Sequence, residues 1–219
     1  LVNLKLYKSL NKNILKIESL IESIESQLNI IVSDILSKSV EGFYSKQFNT
    51  KDLKAYEYNK NRKDKDWYSP NTDKNFGYLF KELDLKENHC LYWFELETLE
   101  KTKALNNLIN NYRLKKGQED YRVVPSSNKN VNSKVLYVGI RRGAKSKSGL
   151  TNIVGRINQH LGYYKVQSTQ GLQLIHYAQG LDFQITLNVV EFEDLENPMY
   201  LNLLEKMVAD KLIPLCGRH

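Results

Sequence analysis

Acidic residues are missing from a quarter of the chain. Between Tyr121 and Leu181 the 219-residue sequence has no Asp or Glu, yet it carries Arg122, Lys129, Lys134, Arg141, Arg142, Lys145, Lys147, Arg156 and Lys165. That stretch more than accounts for the formal net charge of +7. A field of one sign over so long a segment disfavours cationic ligands and suits polyanions. Cysteine is also scarce. Cys90 and Cys216 are the only two and stand far apart, which excludes a disulfide framework and a four-ligand zinc site and fits a reducing, cytoplasmic setting. No apolar run approaches the roughly 18 residues of a membrane span, and the first residues lack the apolar core of a signal peptide, so no membrane partner is expected. The G-x-x-x-x-G-K-[ST], G-x-G-x-x-G and G-x-S-x-G patterns are absent, and Gly143-Ala144-Lys145-Ser146 matches only the end of the first.

What is present begins with a heptad. Tyr7, Leu10, Ile14, Ile17, Ile21, Ile24, Leu28, Ile31 and Ile35 alternate steps of three and four, the spacing of a coiled-coil seam. Leu20, Ile30, Val32 and Leu36 widen the apolar face. The helix therefore either associates with a second chain or packs on its own domain, and we assign residues 1–46 to it as a possible oligomerisation element. Residues 47–88 read as a polar connecting segment of alternating charge in which Tyr56, Tyr58, Trp67 and Tyr68 are interspersed.

Residues 89–219 read as a compact domain. The run His89–Leu96 is aromatic and apolar and predicts a buried strand. A helix follows, with Leu99, Leu105, Leu108, Ile109 and Tyr112 at helical spacing, inside an insertion at 97–133. Residues 134–140 predict a second strand. Thr151 is a predicted N-cap for a helix with Val154, Ile157 and Leu161 inward. Phe183, Ile185, Leu187 and Val189 alternate with polar residues as a third strand. Asn197-Pro198 opens a last helix with Leu201, Leu204 and Val208 inward. The expected fold class is α/β (α+β): a small three-stranded antiparallel sheet flanked by helices, behind a long N-terminal helix.

Five polar residues fall at telling places on these elements. Tyr92 and Tyr137 lie in the first and second strands. Arg156 and His160 are four apart on one helical face, beside the inward stripe. Glu205 follows the inward Leu204. Two phenols, a guanidinium, an imidazole and one carboxylate together have the chemistry to bind a phosphodiester, hold one divalent cation and activate water. His89 and His176 are expected to be structural.

This set resembles the GIY-YIG nuclease family, in organisation most nearly its type II restriction endonucleases. Cys90-Leu91-Tyr92 stands for the first motif and Tyr137-Val138-Gly139 for the second. The Arg and His spaced by four appear as GRINQH, and the metal-binding Glu is Glu205 in YLNLLEKMVADKL. Three departures are visible: Cys90 replaces the first glycine, a long insertion separates the two tyrosines, and Gly217 stands where the family has Asn, with His219 as a nearby substitute. The resemblance implies Mg²⁺-dependent hydrolysis of DNA phosphodiesters, with Mn²⁺ as a substitute ion. Tyr92 would be the general base or position the attacking water, and Tyr137 would hydrogen-bond in the same site. Arg156 would hold the scissile phosphate through its planar fork, His160 would bond the water or a tyrosine, and Glu205 would be the sole protein ligand of the metal.

Arg141, Arg142, Lys145, Lys147 and Lys165 are the expected phosphate contacts to double-stranded DNA. The expected assembly is a homo-oligomer, dimer or higher, since a palindromic site wants two-fold symmetry. The catalytic module closes the sequence with no separate DNA-binding part after it, which points to a restriction enzyme. A structure-specific or mobile-element nuclease and a catalytically silent DNA-binding protein remain the alternatives.

Overall fold

The computed structural model describes residues 2–53, 76–129, 132–144, 151–163 and 170–217, with side chains described from Ile17 onward. The chain divides into two compact units, Leu1–Val40 and Glu41–His219. The first is one helix, α1 (Val2–Leu36). It stops in a Schellman-type turn: Lys38 adopts a left-handed φ of 61°, the Lys38 amide donates to Ile35 O at 3.1 Å, and the Ser39 amide donates to Asp34 O at 3.2 Å. The heptad element thus ends ten residues before the boundary expected at residue 46.

Among the described residues the second unit is built on four strands, not three: β1 (Phe43–Asn49), β2 (His89–Leu96), β3 (Val135–Arg141) and β4 (Gln184–Phe192). They lie in the order β1-β4-β2-β3, and every pairing is antiparallel. The extra strand, β1, falls across the expected helix boundary and the start of the connecting segment. Its run FYSKQFN holds Ser45, Lys46 and Gln47, so it lacks the apolar density of a central strand; Lys on an outer strand also blunts edge-to-edge pairing. Residues 54–75, with Tyr56, Tyr58, Trp67 and Tyr68, lie outside the described residues. After them comes α2 (Gly77–Leu83), whose Leu79, Phe80 and Leu83 are buried.

β2 sits between β4 and β3, and from Cys90 through Phe94 every residue is buried. Tyr92 and Phe94 on this strand join Leu187 and Val189 of β4 in one apolar cluster. The same cluster takes in Leu105 and Ile109 of α3 (Leu99–Arg113) and the inward stripe Val154, Ile157 and Leu161 of α4 (Asn152–Leu161). The long insertion does bridge two directly paired strands, since Tyr92 stands opposite Gly139 and Phe94 opposite Tyr137 in the β2–β3 ladder.

Two helix starts position the site. At α4, Thr151 occupies the N-cap, but its hydroxyl makes no cap bond. Its amide donates instead to Asp84 Oδ1 at 2.7 Å and its hydroxyl to Leu83 O at 3.3 Å, which ties the start of α4 to the end of α2. At α5 (Pro198–Leu212), Asn197 Oδ1 caps the Met199 amide at 2.9 Å, Pro198 opens the first turn, and Leu201, Leu204 and Val208 turn inward as expected. α5 packs along β2 and β3. Among the described residues no helix is long and apolar enough to cross a membrane.

Candidate active site

Tyr92, Tyr137, Arg156 and His160 meet at one point under the sheet. Tyr92 Oη lies 2.9 Å from Arg156 Nε and 2.9 Å from His160 Nε2. The same guanidinium donates through Nη2 to Tyr137 Oη at 3.0 Å, and through Nη1 to Gln159 Oε1 at 3.0 Å and to the Gln170 carbonyl at 2.6 Å. The His160 ring lies 5.5 Å from the Tyr92 ring and 4.8 Å from that of Tyr137. Arginine presents five N–H donors in a fixed fork. Four are engaged by these partners, so among the described residues one Nη2 hydrogen has no partner, in place of the open fork the resemblance implies.

His160 differs from expectation in burial. It is 0% exposed, as is Tyr92, so it sits within the core and not beside the inward stripe. Its tautomer follows from one backbone contact. The Leu172 amide donates to Nδ1 at 3.1 Å, and an amide nitrogen only donates, so Nδ1 carries no proton. Burial, with the Arg156 charge beside it, holds the imidazole well below its ordinary pKa. The ring is therefore neutral and protonated on Nε2, and it donates to Tyr92 Oη. Both lone pairs of that phenol are taken, one by a cation and one by the imidazole, and its own proton is the only group it can still offer.

The two phenols are not equivalent. Tyr92 is fully buried, whereas Tyr137, on the edge strand β3, is partly exposed. Burial raises both pKa values, against the lowering effect of Arg156, and both are neutral at pH 7. Gly139 sets their spacing. A Cβ there would lie 2.6 Å from Tyr92 Oη and 2.7 Å from Tyr137 Cε1, so the last residue of Tyr137-Val138-Gly139 must be glycine for both rings to reach Arg156.

Glu205 on α5 is partly buried and lies in the field of the same arginine. Desolvation raises its carboxyl pKa and Arg156 opposes the rise. Its charge is also felt at both tyrosines. The carboxylate makes no hydrogen bond or salt bridge among the described residues. A half-desolvated carboxylate without a protein partner suits a hard cation that keeps most of its own water, so the donor set fits one Mg²⁺ held by one side chain. Among the described residues no cluster of three or more His, Cys, Asp or Glu could hold a metal.

Four contributors escaped the sequence reading: Gln159, Gly171 and the backbone of Gln170 and Leu172. Gly171 is needed because a Cβ would stand 2.8 Å from Gln159 O, and its amide donates to Val123 O at 3.2 Å. The segment from Gln170 to Leu172 therefore closes over α4 and holds both Arg156 and His160 through main-chain atoms. Gln159, inside GRINQH and directly beside His160, was the one sequence signal available.

Of the expected DNA contacts, Arg141 is partly exposed at the end of β3 and Arg142 is exposed just after it. Lys145, Lys147, Lys165 and His219 lie outside the described residues. His89 has the structural role expected, since its Nδ1 accepts from the Gly143 amide at 2.8 Å. His176 stacks on Tyr112 with ring centroids 5.9 Å apart. Cys90 and Cys216 are buried free thiols. No family model matches the chain, and comparison with curated proteins and with solved structures finds no match either.

Proposed function

We propose that the chain is a Mg²⁺-dependent endonuclease that hydrolyses phosphodiester bonds in double-stranded DNA, of the restriction type. The observation that carries this reading is the junction at Arg156: one guanidinium bonded to two phenols, with a neutral imidazole donating to one of them and an unpartnered carboxylate in the same field. Such a group offers fixed positive charge and one unspent N–H to an entering phosphoryl oxygen, whose charge grows in the transition state.

Partial exposure favours Tyr137 as the phenol that meets water, with Tyr92 behind it as a positioning residue. Because burial keeps Tyr137 protonated, its role is to orient the attacking water by hydrogen bonding and not to abstract a proton at neutral pH. Arg156 holds the phosphate. His160, protonated on Nε2 and locked by Leu172, fixes Tyr92 and through it the arginine. Glu205 would hold Mg²⁺, or Mn²⁺ in its place, and the ion would supply Lewis acidity toward the phosphate and help to activate water. Arg141 and Arg142, with Lys145, Lys147 and Lys165 from the acid-free segment, would contact phosphates along the duplex.

The test is incubation of the protein with plasmid and phage DNA, with Mg²⁺ and with EDTA. Discrete metal-dependent fragments are expected. Branch-specific nicking or smearing would move the reading to a structure-specific nuclease, and DNA binding without cutting of any substrate would refute a catalytic site. Glu205→Gln should abolish cutting and largely spare binding; undiminished cutting would remove Glu205 from the metal site.

A further inference from the structure

α1 carries an exposed apolar seam and an unusual order of charge. Ile17, Ile21, Ile24 and Ile31 at its heptad positions are between 42% and 57% exposed, and Leu20 beside them is 61% exposed. Ile35, at the end of the seam, is already buried, so the seam available to a partner stops at Ile31. A row of exposed isoleucines, interrupted only by the partly exposed Leu28, is the kind of patch that marks an interface. Along the same helix, residues 2–16 include Lys5, Lys8, Lys12 and Lys16 and no acid, while residues 17–36 include Glu18, Glu22, Glu25 and Asp34 and no base.

That order runs against the helix dipole, which favours acids at the N-terminus and bases at the C-terminus. Here the basic half adds to the positive end and the acidic half to the negative end, so α1 is a strong dipole in both backbone and side-chain charge. A parallel partner would bring the two basic halves together and the two acidic halves together. An antiparallel partner sets each half beside its opposite and opposes the two backbone dipoles as well.

We propose that α1 pairs with α1 of a second copy of this chain in an antiparallel two-stranded coiled coil. In the register of greatest overlap, position 7 of one copy stands opposite Ile31 of the other, and Ile17 stands opposite Ile21 about the two-fold axis, so every seam position meets a seam position. Charge and dipole choose the orientation, and the exposed isoleucines supply the driving force. The inference rests on α1 alone and is independent of the nuclease reading.

Spin labels on the full chain test it, because Cys90 and Cys216 are buried and leave a new exposed cysteine as the labelling site. Ser19 and Ser33 are both exposed. A label at Ser19→Cys should lie close to its copy. A label at Ser33→Cys should lie about 42 Å along the axis from its copy at 1.5 Å per residue. Short distances at both positions would overturn the antiparallel orientation. A monomer in sedimentation at micromolar concentration would overturn the pairing itself. Ile21→Glu with Ile24→Glu should give a folded monomer, and persistence of the dimer in that variant would also refute the seam.

Discussion

Replacing Tyr92 with Phe removes one oxygen and strands two donors. Tyr92 Oη accepts from Arg156 Nε and His160 Nε2, both at 2.9 Å, in a place no solvent reaches. A hydrogen bond to a charged group is worth about 1.5–3 kcal/mol, and a buried neutral donor left unsatisfied costs about 1–3 kcal/mol. Some of this is recovered because the phenol's own desolvation is relieved, so the expected loss is about 2–4 kcal/mol for a change that barely alters volume. In a domain of this size each kcal/mol shifts Tm by about 2–4 °C, so Tm should fall by roughly 10 °C. Tyr137→Phe is the internal control. Its oxygen accepts from Arg156 on a partly exposed side chain, where water can take over, and the loss should stay below about 1.5 kcal/mol. Calorimetry or denaturant titration reads both. The double variant Tyr92→Phe with His160→Phe should cost less than the sum of the two singles, with a coupling of about 0.5–3 kcal/mol. A Tyr92→Phe protein that melts within about 2 °C of wild type, or a Tyr137→Phe protein that melts lower, would refute the assignment of both donors to Tyr92.

Other expectations are as direct. Gly139→Ala, which forces a methyl to within 2.6 Å of Tyr92 Oη, should cost about 1–3 kcal/mol and should separate the two phenols, so cutting falls far more than stability; unchanged cutting would show that their spacing is immaterial. Asn197→Ala should cost about 1 kcal/mol by removing the cap of α5, read by denaturant midpoint, with no change in the pH dependence of stability. Stability should fall as pH drops from about 6.5 toward 5, because the unfolded histidines take up protons that buried, neutral His160 does not, with a slope of up to about 1.4 kcal/mol per pH unit for each such group. His176, which burial and the nearby Arg122 hold down to about 4, adds its share in the same window. Glu205, whose carboxyl burial raises, works in the opposite direction just above the ordinary carboxylate range. A denaturant midpoint that stays flat between pH 7 and 5 would contradict the neutral His160.

Much of the second unit was legible because its elements follow strong local rules. β2 announces itself by an aromatic run, α4 and α5 by inward stripes at helical spacing, and α5 also by Asn197-Pro198. β1 was not legible for a physical reason. As an outer strand it sets Ser45, Lys46 and Gln47 in a row between its aromatics, with no apolar alternation, and its identity as a strand rests on pairing with β4, some 140 residues later in the chain. The end of α1 was missed for a related reason. Lys38 takes the left-handed conformation usually left to glycine, and such a residue carries no signal in the sequence.

The site shows the same division at finer grain. Residue types and spacing pointed to five side chains, and four of them meet through hydrogen bonds while the fifth shares their field. The groups that hold them are main-chain atoms of Gln170 and Leu172, which any residue other than proline could supply and which no motif can therefore reveal. The division of labour between the tyrosines was hidden for yet another reason, since it depends on strand order. Tyr92 comes first in the chain, but β2 lies between β4 and β3 and its phenol is fully buried. Tyr137 lies on β3, at the sheet's edge among the described residues, and keeps partial exposure to solvent. The order β1-β4-β2-β3, more than the order of the motifs along the chain, therefore decides which phenol a water molecule can reach.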